Sequence, residues 1–140
     1  ESYKLYGNTL AEALQGGESL ESELSIFARA VDKKDPHELK KLDDVISNFQ
    51  IIIKNALLSP VPVASSSLHL ALIQSLEAVR YDISGMKLLF SDTALAFLAL
   101  NSYEGDAKKL LTAMQSITTA IQASGATFSP SDAGYKTFGR

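Results

Sequence analysis

The 140-residue chain is 46% hydrophobic and 21% charged, a balance that suits one globular domain with a core large enough to stand without metal or disulfide staples. Its formal charge of -3 and pI near 5.3 argue against any general attraction to nucleic-acid phosphates or anionic lipid, so nucleic acid is not an expected partner. With no Cys, no Trp and two His, the chain is poor in the side chains that build metal centres and nucleophilic sites, and it says nothing of its redox compartment.

Residues 1–7 lack periodicity, whereas Leu10, Ala13, Leu14, Gly17, Leu20, Leu24, Phe27, Ala28 and Val31 recur at spacings of three and four. That pattern predicts one helix over 8–33, with Asn8 or Thr9 as its cap. Gly16-Gly17 costs roughly 1 kcal/mol per residue relative to Ala, and marks close helix packing or a kink. Opening on Glu1-Ser2-Tyr3 without an initiator Met or a signal pattern, the sequence is expected to be trimmed from something longer.

Asp35-Pro36-His37-Glu38 supplies an N-cap acid, a Pro at the first helical position and a Glu at the third, the start signal of a helix over 36–58. Leu39, Leu42, Val45, Ile46, Phe49, Ile52, Ile53, Ala56 and Leu57 form its stripe, and Ser59-Pro60-Val61-Pro62-Val63 holds the chain extended beyond it. One of Ser65, Ser66 and Ser67 caps a third helix over 66–90, with Leu68, Leu72, Leu76, Val79, Ile83, Met86 and Phe90 facing inward. Residues 55–76 carry no charge, yet the prolines and serines break any continuous span of about 20 apolar residues that a membrane helix needs.

Asp92 caps a fourth helix over 92–124, with Ala96, Leu100, Tyr103, Ala107, Leu110, Met114, Ile117 and Ile121 inward and Gly125 as a left-handed stop. In the tail, 125–140, Phe128, Tyr135 and Phe138 are docking aromatics. Residues 127–135 are expected to fold back on the core, leaving Lys136 to Arg140 less ordered. Four helices with short links predict an all-α fold, a single-domain antiparallel up-down-up-down four-helix bundle with the tail docked on it.

Chemistry is sparse. Asp32, Asp35, His37 and Glu38 are the compact set of potential metal ligands, but they straddle a helix end and a cap, so no metal or other cofactor is expected. Neither His lies three residues after a Glu, as di-iron bundles require. Phosphate-binding glycine loops and serine-nucleophile motifs are missing, so no catalytic residue is assigned and enzymatic activity is not expected.

At VPVASSSLHLALIQSLEAV, then FSDTALAFLALNSY and SPSDAGY, the chain resembles uncharacterised helical proteins of reduced-genome bacteria of the candidate phyla radiation. The resemblance covers about 55–135 and the Tyr6-Gly7 entry; Thr93 follows Asp92 where the family pattern has Pro. It implies an extracytoplasmic bundle tethered by an N-terminal hydrophobic segment ahead of Glu1, the only membrane contact expected, and it carries no activity. A cytoplasmic location is the alternative.

Helix four is uncharged from Thr93 through Tyr103, and no charge occurs over 110–131. Such a helix is central in its fold or covered by a partner. The leading expectation is therefore a protein-interaction or scaffold module, with a protein partner or self-association at Phe97 and Leu98. The alternative is a ligand-sensing bundle that holds a small molecule between helices near His69, Gly85 and Tyr103.

Overall fold

Helical periodicity dominates the chain, and the computed structural model, which describes residues 1–15 and 22–139, has only helices as regular elements among those residues. In chain order these are α1 (Ser2–Leu14), α2 (Glu23–Lys33), α3 (Lys41–Leu58), α4 (Ser66–Met86), α5 (Thr93–Ala123) and the short α6 (Tyr135–Phe138). Turns of 3-10 helix over Pro36–Lys40 and Val63–Ser65 lead into α3 and α4. Among the described residues, no helix is long and apolar enough to cross a membrane.

Side-chain caps and the stop glycine lie where the sequence places them. Asp35 Oδ1 accepts from the His37 amide at 2.9 Å ahead of Pro36, and Asp92 Oδ1 accepts from the Leu95 amide at 3.2 Å, each satisfying a first-turn donor that lacks a helical partner. Gly125 stops the chain after α5 at φ 78°, a left-handed conformation that glycine adopts without a Cβ clash.

The expected first helix over 8–33 is not one helix. Its winding begins at Ser2, and Ser22 is extended at ψ 132° before α2 starts at Glu23; Gly16-Gly17 and Leu20 lie outside the described residues. A fresh start resets the phase of the stripe, so Ile26, Phe27 and Ala30 point inward while Leu24, Ala28 and Val31 face out. Asn8 and Thr9 sit inside α1 instead of capping it. The third helix ends at Met86, short of 90, and leaves Phe90 44% exposed. None of the serines caps α4 through its side chain: the Ser65 hydroxyl bonds Tyr3 Oη at 2.8 Å, and Ser66 Oγ donates to Val63 O.

Two apolar clusters make the core. In one, Tyr6 and Leu10 of α1 meet Ile53 from late α3, Leu72 from early α4, Ile117 from late α5, and the tail rings Phe128 and Phe138. In the other, Phe27 of α2 meets Leu42 from early α3, Ile83 from late α4 and Ala96 from early α5. Each cluster gathers opposite ends of consecutive long helices, which is what short connections between packed helices impose.

Helices α4 and α5 pack closely at Gly85, where a Cβ would stand 2.6 Å from Ala99 Cβ. Gly85 is therefore a packing residue. Gly85→Val is expected to cost about 2 kcal/mol, because overpacking outweighs the few tenths gained in helix propensity; a thermal or urea melt measures it.

The tail docks more completely than its polar composition suggests. Phe128 lies against Gly7 and Gly134, at either of which a Cβ would come within 2.6 Å of its ring. Asn8 Oδ1 accepts from the Gly134 amide at 2.8 Å, and Lys4 pairs with Asp132 at 3.1 Å. Ordered structure continues past residue 135 into α6, which buries Phe138 at 2% exposure while Tyr135 is 39% exposed. The apolar anchors are thus Phe128 and Phe138, with Tyr135 at the margin of the contact.

Candidate functional site

At 1.5 Å rise per residue, the 31 residues of α5 span about 46 Å. Its inner stripe is spent on the core, and its flanks border two surface grooves. On the α2 side, Phe97, Leu100, Tyr103, Ala107 and Leu111 line a groove of about 700 Å³ together with Leu24. On the α4 side, Tyr81, Asp82, Gly85, Leu95 and Leu98 line a second one of about 400 Å³.

The structure separates the residues singled out from the sequence. Phe97 (46% exposed) and Leu98 (61% exposed) are both accessible but belong to different grooves. The Phe97 ring also meets Phe27 edge-on, with centroids 5.7 Å apart. His69, Gly85 and Tyr103 do not form one ligand site. Gly85 and Tyr103 border opposite grooves, and His69 is buried near the start of α4.

His69 is fully engaged in holding the core. Its Nε2 lies 2.9 Å from Ala56 O, which can only accept, so in the neutral ring Nε2 carries the hydrogen and Nδ1 accepts from Tyr6 Oη at 2.8 Å. Burial, and secondarily Tyr3, raise the Tyr6 phenol to about 12, keeping it a donor at any physiological pH.

In the Asp32, Asp35, His37 and Glu38 set, the two carboxylates of Asp35 and Glu38 are engaged in structure. Glu38 accepts from Arg29 at 3.1 Å and from Lys41 at 3.0 Å, contacts that hold its carboxyl below the usual range. Asp35 serves as the cap. Among the described residues, no group of three or more His, Asp or Glu is arranged to hold a metal ion.

The acidic site that sequence reasoning missed lies between α4 and α5. Asp82 is 4% exposed and its Oδ2 has no hydrogen-bond partner. Burial first, then the facing Asp106 carboxyl, push Asp82 up to about 7; like charges in a poorly solvated place favour a shared proton over two anions. Beside it, the Tyr103 hydroxyl donates to Glu23 of α2, and burial followed by that carboxylate raises the Tyr103 phenol. A signal was present: Asp82 is three residues after Val79 and four before Met86, squarely on the apolar stripe of α4. Asp106 stands in the same relation to Tyr103 and Leu110 on α5.

No family model, no curated protein and no solved structure matches the chain.

Proposed function

We propose that this chain is a non-enzymatic, protein-binding module, an up-down-up-down bundle with α1 and α2 sharing the first stave, that receives an amphipathic helix of another polypeptide along α5. The observation that carries this reading is the spacing of the larger groove. Phe97, Leu100, Glu104, Ala107 and Leu111 all line it, and their intervals of three, four, three and four residues are those of a seam that takes a second helix. Leu24, Phe97 and Leu111 are 44%, 46% and 59% exposed, which leaves unburied apolar surface along that seam. Leu98, around the helix from it, extends the contact as a flank. The extracytoplasmic, membrane-tethered placement is part of the same proposal and rests on the family resemblance. Sequencing the gene upstream of Glu1 tests it, since a start codon immediately before Glu1 removes the tether.

A photo-crosslinking side chain at position 111 in the native cell tests the binding surface. A discrete adduct is expected, lost with Phe97→Asp and weakened by Leu98→Asp. An adduct of twice the chain's own mass would replace the foreign helix by a second copy. Crosslinking that is indifferent to Phe97→Asp would remove the seam as a binding surface.

A further inference from the structure

The smaller groove has an unusual combination of linings. Leu88, Leu95, Leu98 and Ala99 make it apolar, and among the described residues no Lys, Arg or His lines it. Asp82, also on the lining, is a 4% exposed residue whose Oδ2 has no hydrogen-bond partner among the described residues. The groups facing Asp82 are acids or phenols: Asp106 and Tyr103 from α5, with Glu23 of α2 behind Tyr103. The bases nearest it in sequence, Arg80 of α4 and Lys87 just beyond that helix, pair with Glu77 and Asp43. A buried carboxyl with one oxygen unpaired and a second carboxyl facing it costs free energy, and the charge absent from this site is positive.

We propose that the groove between α4 and α5 beside Gly85 binds a small primary amine with an apolar body, the ammonium seated on Asp82 and the body against Leu95, Leu98 and Leu88. At about 400 Å³, the groove falls within the size range of small-molecule sites, roughly 300–1,000 Å³. In the empty site a proton held between Asp82 and Asp106 supplies the missing positive charge. An ammonium displaces that proton, so binding near pH 6 releases up to one proton to solvent, and affinity rises with pH until Asp82 is ionised. Leu98 flanks the α5 seam, yet this site shares no lining residue with the larger groove, and each can fail without the other.

The test is calorimetric titration of the full chain with phenethylamine, and with phenethyl alcohol as the uncharged probe of the same shape. Amine binding at least about tenfold tighter than the alcohol is expected, with a heat at pH 6 that depends on the ionisation enthalpy of the buffer. Asp82→Asn is expected to remove both the preference and the buffer dependence, and Phe97→Asp, in the other groove, to leave them intact. Amide NMR shifts should move at Gly85 and Ala99. Equal binding of amine and alcohol, an unchanged affinity in Asp82→Asn, or no shift change at Gly85 and Ala99 at saturating amine would each overturn the proposal.

Discussion

Phe138→Ala is expected to lower the melting temperature by about 10 °C. The ring is 2% exposed in the cluster that joins α1, α3, α4 and α5, and stands 6.3 Å from Phe128. Truncating a buried Phe costs about 3 kcal/mol or more, because the loss of apolar burial adds to the cavity left behind. An unfolding entropy of about 2.1 cal/mol/K per residue converts 3 kcal/mol to about 10 °C for a domain of this length. Tyr135→Ala is the control: three positions earlier on the same turn and 39% exposed, it should cost under about 1 kcal/mol. Equal melting temperatures for the two variants, by calorimetry or circular dichroism, would show that the tail contributes nothing to the core.

Asp82→Asn should stabilise the protein, and do so increasingly as pH rises. An Asp in the unfolded chain titrates near about 3.9, whereas Asp82 is held up to about 7 by burial and Asp106. The folded state therefore binds the extra proton between those values, and stability falls as pH rises through that window. The contribution of the protonated acid is fully present below about pH 4 and gone above about pH 7. Asn keeps the shape and cannot ionise, so the gain at pH 8 is about 2–4 kcal/mol and shrinks toward zero near pH 4. Melting curves of both proteins at pH 5 and 8 measure it. A parallel pair of pH profiles would place the ionisation of Asp82 outside the core.

The sequence made the long helices legible where their punctuation is chemical. Asp35-Pro36, Ser59-Pro60, Asp92 and Gly125 each mark a boundary through a hydrogen bond or a backbone restriction intrinsic to those residues, and the observed helices begin or end there. The reading failed where a boundary depends on tertiary partners. Residues 1–7 carry no stripe, yet they are helical because Tyr6 and Gly7 are covered by His69 and Phe128, 63 and 121 positions away. The site divided along the same line. Exposure of Phe97 and Leu98 follows from a neutral helix with more apolar surface than one stripe can bury. The Asp82 and Asp106 pair was passed over although each acid sits on its own helix's apolar stripe, because one acid on a stripe does not say what it faces. Only the pairing of α4 with α5 turns them toward each other.

Placing Phe128 between Gly7 and Gly134 also sets an order of events during synthesis. The ring that packs on α1 is translated 121 residues after Gly7, and the amide that Asn8 receives comes 126 residues after it. Contacts of such sequence separation form late, since the intervening chain must first be drawn together. On the ribosome, α1 therefore waits beside a partly built core until the segment that carries Phe128 and Gly134 has emerged. A nascent chain stopped short of Phe128 leaves α1 without its cover and exposed to misassembly.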